Sequence, residues 1–318
     1  MPIRLIWRGA EPIVEWCYLG QERFTHPFFD TTIQLALETP FNRLFRHHTT
    51  MAALEEWTRQ SPGLPLAGFI FHMSRCGSTA VSQTLAALPE HVVISEAGPL
   101  DALARAHLRA PTLPASLHTV WLRAMAAALA QPRQGGESRC FIKFDARTAL
   151  HLPLLRQAFP AVPWIFLYRD PVEVMVSLHH RPSATTTPGM GPGLPDVPPE
   201  ATASMEPEEY AARILGLLCE SAAAQFPGAP ALLVEYRELP DAVWQRVLPH
   251  FCFGGNAAAM ERMRHAAALD AKDRTRAFVP DSARRQKEAS AAIRLAAGRW
   301  AAPRYAELER LRAHASGR

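Results

Sequence analysis

Short apolar runs alternate with longer amphipathic stretches along the middle of the chain. The runs are 67–72 (AGFIFH), 91–95 (HVVIS), 140–144 (CFIKF), 164–168 (WIFLY) and 231–234 (ALLV). Each is apolar almost throughout, as expected of strands covered on both faces. Between them, helical patterning covers 79–88, 100–109, 116–130, 149–159, 172–180 and 207–225. This alternation predicts βαβ units and a parallel sheet between helical layers, a three-layer α/β sandwich. Right-handed crossovers place the functional loops of such a sheet at the carboxyl ends of its strands.

Two segments break the rhythm. Residues 1–65 mix aromatic strand-like pieces (Trp7, Trp16, Tyr18) with helical spacing near 31–37 and 51–60, and read as an N-terminal extension or flap. The α/β domain then spans 66–318. Within it, 181–206 (RPSATTTPGMGPGLPDVPPEATASME) is dense in Pro, Gly and Thr and too long for a simple connection. It is either a lid over a site or a solvated insertion. From Ser282 onward the chain reads as basic helices around Trp300.

Composition narrows the class. At 318 residues the chain is long enough for one large domain or two small ones. The N-terminus lacks the apolar core and cleavage site of a secretory signal, and the longest apolar stretch, 124–130, is too short for a membrane span. Five cysteines, odd in number and without a CxxC pair, argue for a reducing cytoplasm and against a structural zinc site. The doublets His47-His48 and His179-His180 have no metal-ligand spacing. Net charge is +4, but residues 261–318 hold 14 basic against 7 acidic side chains, and the rest hold 20 against 23. That surplus suits an anionic partner or solvated helix faces. Of the 34 basic residues only Lys143, Lys272 and Lys287 are lysine, which makes each lysine informative.

The strongest chemical signal is Phe69-Ile70-Phe71-His72-Met73-Ser74-Arg75-Cys76-Gly77-Ser78-Thr79. A strand enters a small-residue turn and a helix follows, the context in which backbone N–H groups and a helix N-terminus hold an oxyanion. A nucleotide P-loop would carry Lys after its last Gly. Here Ser78 follows Gly77, and the cation, Arg75, precedes it. This P-loop-like turn resembles the 5′-phosphosulfate loop of sulfotransferases that use 3′-phosphoadenosine-5′-phosphosulfate (PAPS), [KR]-[ST]-G-[TS]-T. Trp164–Ser177 resembles that family's 3′-phosphate motif, with Arg169 at a strand end and Ser177 eight residues on. Phe141–Asp145 resembles its strand bearing Lys-x-His, and Leu233–Leu239 the segment that sets an aromatic residue beside adenine.

The resemblance covers about 66–300 and is nearest the carbohydrate, tyrosylprotein and bacterial branches, since Ser74 and Ala80 replace the Pro and Trp usual in cytosolic members. It implies donor binding by Arg75, Cys76, Gly77, Ser78, Thr79, Arg169, Ser177 and Tyr236. It implies stabilisation of the leaving oxygen by Arg75 and Lys143, with PAPS as donor, 3′,5′-ADP as product and no metal. The acceptor would be a small-molecule, carbohydrate or peptide hydroxyl; no nucleic acid or membrane span is expected. The family's histidine is missing, because position 145 is Asp. Glu96, at the second strand end, is the first choice as base and Asp145 the second. The family's C-terminal basic element has no clear counterpart; Arg284, Arg285 or Lys287 could substitute. Two other readings stay open: a Mg-ATP-dependent P-loop phosphotransferase, and a non-catalytic nucleotide-binding protein.

Overall fold

The computed structural model describes residues 1–9, 11–190, 193–195, 197–279 and 281–316. Three antiparallel strands, β1 (Pro2–Arg8), β2 (Glu11–Trp16) and β3 (His47–Thr50), open the chain in that order across a sheet. Five more strands follow: β4 (Leu66–His72), β5 (His91–Ser95), β6 (Arg139–Lys143), β7 (Trp164–Tyr168) and β8 (Ala231–Glu235). They form a parallel sheet in the order β5-β6-β4-β7-β8. Every residue of β5 and β7 is buried, which is why these strands are continuous apolar runs rather than alternating ones. Helices flank the sheet, and the fold is α/β.

Element ends depart from expectation where local chemistry intervenes. β6 starts one residue early because Arg139 pairs opposite His91, so Lys143 is its last residue. The helix expected over 149–159 splits into a 3-10 segment, Ala146–His151, and an α-helix, Leu152–Ala158. Pro153 lacks a donor and suits the first turn of a helix, so the α-helix begins beside it.

The N-terminal sheet is packed onto the body. β1 rests on helix Gly98–Ala104, and helix Met51–Gln60 rests on helix Ala115–Leu129. Val14 and Leu54 belong to the same buried cluster as Phe71 and Ile94. Among the described residues no helix is long and apolar enough to cross a membrane.

The Pro- and Gly-rich segment is anchored as well; its positions 191, 192 and 196 lie outside the described residues. Buried Arg147 donates to Thr185 O at 3.1 Å, to Gly193 O and to Tyr210 Oη at 3.1 Å. Replacing Arg147 with Met removes two of the ties between this segment and the body. Amide exchange around 183–187 is expected to speed up by roughly tenfold or more, since each charged hydrogen bond contributes about 1.5–3 kcal/mol. Unchanged exchange there, measured by mass spectrometry, would mean the segment is held by something else.

Candidate active site

Parallel packing brings the carboxyl ends of all five strands to one edge. Across it, in spatial order, lie Glu96 after β5, Lys143 ending β6, His72 ending β4, Arg169 after β7 and Tyr236 after β8. The chain passes from β4 to β5 and β6 on one side and to β7 and β8 on the other. A crevice is expected beside β4, where the connections diverge. A cavity of about 180 Å³ lies there, bounded by Arg75, Ser78, Thr79, Glu96 and Asp145.

The turn after β4 is left-handed at Ser74 (φ 78°), Arg75 (φ 50°) and Gly77 (φ 82°). Such turns direct successive N–H groups into an anion-binding concavity. Gly77 caps helix Ser78–Ala86, its carbonyl accepting from Ala80 N at 2.9 Å and Val81 N at 3.2 Å. A Cβ at Gly77 would stand 2.6 Å from Leu239 Cδ1 and 3.2 Å from Tyr236 Cδ2. Gly77→Ala therefore meets both a φ penalty and a clash, and should lower stability by about 1–3 kcal/mol in denaturant titration. A variant as stable as the parent would show that the turn can relax.

Two members of the turn are already engaged. The Cys76 thiol is buried, which pushes it up to about 12, and it donates to Leu167 O at 3.1 Å. The group Cys76 can offer a ligand is its backbone N–H. Arg75 Nη2 donates to Arg181 O at 2.7 Å. Burial and the nearby Arg181 and Arg285 lower the Arg75 pKa, so its charge is held at a cost that an anion would offset.

Beside the turn, Lys143 is fully buried and donates to Glu96 Oε1. Glu96 sits at φ 58°, with its N–H on Lys143 O at 2.6 Å. Burial alone would raise the Glu96 pKa. The Lys143 ammonium and His72 outweigh it and hold the carboxyl well below the usual carboxylate range. His72 Nδ1 accepts from Ser74 N at 3.0 Å, which assigns the ring proton to Nε2. That nitrogen is buried, lacks a hydrogen-bond partner and faces Glu96 Oε1 at 3.5 Å. Ser74, Arg75 and Glu96 are three of the four non-glycine residues with positive φ among those described. Strain of this kind persists where the surroundings demand it, and active sites are the usual place.

Asp145 is occupied differently. Its Oδ1 accepts from Arg147 N at 3.0 Å and caps the 3-10 segment Ala146–His151. Behind it, Asp101 accepts from Thr148 Oγ1 at 2.7 Å and from Asp145 N at 3.3 Å. Burial, then the charge of Asp145, pushes Asp101 up to about 7.

Across the edge, Arg169 is saturated. Nε donates to Glu173 Oε2 at 2.7 Å and Nη2 to Asp281 Oδ1 at 2.6 Å, and the guanidinium lies 3.9 Å from the centre of the Tyr236 ring. Among the described residues no hydrogen bond joins Ser177 to Arg169; Glu173, one turn nearer on helix Pro171–His180, takes the guanidinium instead. Asp281 Oδ2 accepts from Arg285 Nε at 3.0 Å and lies 3.6 Å from Arg284 Nη2, while Lys287 is exposed. Helix Ser282–Glu288 has no buried residue and is fastened here by polar contacts, including Ser282 Oγ to Glu173 Oε2 at 2.8 Å.

No family model matches the chain, and no curated protein matches it. Similar solved structures include the sulfotransferase domain of the Synechococcus PCC 7002 olefin synthase, with 19% identity, 75% of this chain and 87% of that chain covered, and a TM-score of 0.42. Sulfotransferase STF9 from Mycobacterium avium has 14% identity, coverage of 74% and 79%, and a TM-score of 0.43. Sulfotransferase STF1 from Mycobacterium tuberculosis H37Rv has 18% identity, coverage of 66% and 75%, and a TM-score of 0.41. With identities of 14 to 19% and TM-scores of 0.41 to 0.43, these likenesses assign neither a family nor a reaction to this chain.

Several residues at the site were not singled out from sequence. His72 ends an apolar strand as its one polar member. Phe28, from the N-terminal segment, has its ring centre 5.2 Å from Lys143 Nζ and 5.5 Å from Lys272 Nζ. For Lys272 the scarcity of lysine was the available signal. Asp281 had none, since its partner Arg169 is 112 residues away.

Proposed function

We propose that this chain is a sulfotransferase that moves a sulfuryl group from PAPS to an acceptor hydroxyl. The carrying observation is the convergence on one cavity of a left-handed turn with its cation before Gly77 and a buried Lys143–Glu96 pair. The Arg75–Thr79 turn and the N-terminus of helix Ser78–Ala86 suit the 5′-phosphosulfate. Arg75 and Lys143 would stabilise the bridging oxygen as it gains charge, which is the role Mg²⁺ fills in kinases.

The donor supplies an activated sulfuryl group. As the sulfur–oxygen bond to the acceptor forms, that to the phosphate breaks, and Glu96 takes the acceptor's proton. In the resting site Lys143 holds Glu96 as a weak base. When the ammonium turns to the leaving oxygen, burial raises the carboxyl's proton affinity, so the base strengthens as the donor is engaged. A small approach of His72 Nε2–H, now 3.5 Å from Glu96 Oε1, would let it orient the carboxylate.

On the other side, Arg169 and Tyr236 suit the 3′-phosphate and the adenine, provided that Asp281 gives way. Arg285, already on Asp281, could then turn to the phosphate.

The test supplies PAPS labelled in its sulfuryl group to a panel of phenols, sugars and alcohols, with and without EDTA. Label is expected to reach an acceptor, and EDTA should leave the rate unchanged. Loss of turnover on chelation, or phosphoryl transfer from Mg-ATP in place of sulfuryl transfer, would overturn the proposal. Binding of 3′,5′-ADP without any transfer would favour the non-catalytic reading.

A further inference from the structure

The cavity that holds the phosphate turn is also lined by Phe28 and Lys272, neither of which the reaction has yet used. Both are delivered by fixed local structure. The arm carrying Phe28 is tied to helix Ser78–Ala86 by Gln83 Nε2 donating to His26 O at 3.1 Å, and to the end of that helix by Arg23 Nη2 on Leu88 O at 2.8 Å. Phe24 stacks on Phe29 at 5.5 Å behind it. Lys272 lies in a loop closed by the Leu269–Ala277 bridge, and Asp270 Oδ1 accepts from the N–H groups of Lys272 and Asp273 at 2.9 and 2.8 Å.

From that loop the Lys272 ammonium reaches back to the Phe28 ring that Lys143 also approaches. The two lysines differ in one respect. Lys143 is paired with Glu96, whereas among the described residues Lys272 has no carboxylate within ion-pair distance. Burial, followed by the like charges of Arg75 and Lys143, lowers its proton affinity. In the proposed reaction the two charges of a 5′-phosphosulfate are met by Arg75, by Lys143 once it turns from Glu96, and by the helix N-terminus. Lys272 is surplus to the donor.

We propose that Lys272 binds an anionic group on the acceptor, so that the substrate class is a hydroxyl compound bearing a nearby carboxylate or other acidic group, with Phe28 positioning the ammonium. This rests on the sulfuryl-transfer proposal and names the acceptor for the same site. The N-terminal segment then completes the acceptor half of the cavity through Phe28. The acceptor shares this cavity of about 180 Å³ with the donor's phosphosulfate, so a suitable probe is no larger than a single ring.

The test is calorimetric titration of the full chain, loaded with 3′,5′-ADP, using 4-hydroxybenzoate and its uncharged analogue 4-hydroxybenzamide. The benzoate is expected to bind roughly tenfold or more tighter, the value of one charge-assisted contact. Lys272→Met should abolish that preference while leaving the affinities for 4-hydroxybenzamide and 3′,5′-ADP unchanged. Phe28→Leu should reduce the preference without lowering thermal stability by more than a few degrees. Failure of the benzoate to bind, equal binding of the two probes, or a preference that survives in Lys272→Met would each overturn the proposal. Failure of the underlying sulfuryl-transfer reading shows separately, as no 3′,5′-ADP binding by the parent protein, and overturns both.

Discussion

Lys143→Met is expected to lower sulfuryl transfer by roughly 10²–10³-fold, the usual loss when one preorganised charge stabiliser is removed. The loss should fall on kcat, because the ammonium gains most as charge reaches the leaving oxygen. The same change leaves Glu96 without its ion-pair partner, and breaking a buried pair from one side costs about 3–5 kcal/mol. The pH dependence of that cost has a definite sign. In the parent, the Glu96 carboxyl is held well below its ordinary value of 4.5. It therefore contributes stability above about pH 4.5, lost as pH falls toward the depressed folded value. In Lys143→Met, burial is the dominant remaining influence and raises the folded value. Glu96 then favours the native state below about pH 4.5 and ceases to as pH rises through the raised value. Thermal melts from about pH 4 to pH 8 should show the gap between parent and variant widening with pH. A gap independent of pH would mean that Lys143 and Glu96 are not coupled as their contact implies.

Arg169→Met should have the second largest effect. It removes a guanidinium held by Glu173 and Asp281 and stacked on Tyr236, leaving two carboxylates without a shared partner. A stability loss of about 3 kcal/mol is expected from this alone. Affinity for 3′,5′-ADP should fall by roughly tenfold to a hundredfold, while affinity for 5′-ADP changes little. The companion change Asp281→Asn works in the opposite direction. It removes the charge that the 3′-phosphate has to displace, and 3′,5′-ADP should bind more tightly than to the parent. If Asp281→Asn weakened binding, Asp281 would be part of the nucleotide site and not its competitor.

The five parallel strands were legible because burial on both faces demands short, continuous apolar runs, and few other structures do. Their ends followed, and with them the neighbourhood of Arg75, Glu96, Lys143, Arg169 and Tyr236. What stayed hidden depends on tertiary placement. Arg169 and Glu173 are four residues apart, one helical turn, a spacing at which an ion pair is expected. Asp281 comes from the far end of the chain, and no spacing rule points to it. Phe28 reaches the cavity because the arm before helix Phe29–Leu37 is pinned to helix Ser78–Ala86. The tautomer of His72 depends on a single backbone N–H from Ser74. Arg147 looked like one of many arginines, yet it anchors the Pro- and Gly-rich segment. The basic surplus after residue 260 was a poor guide to the site. Much of it is spent on ion pairs such as Arg304–Glu220 and Arg312–Glu309, and of that stretch only Lys272 lines the cavity, beside Arg75 from the phosphate turn, with Lys143 buried behind Glu96.

The most direct measurement is the calorimetric comparison of 3′,5′-ADP with 5′-ADP and Mg-ATP on the parent protein and on Arg169→Met. A 3′-phosphorylated nucleotide bound at least about tenfold more tightly than the others, with that advantage gone in the variant, is the predicted result. Equal affinity for all three nucleotides, or a preference for Mg-ATP, would contradict the assignment of the donor and with it the account of the site.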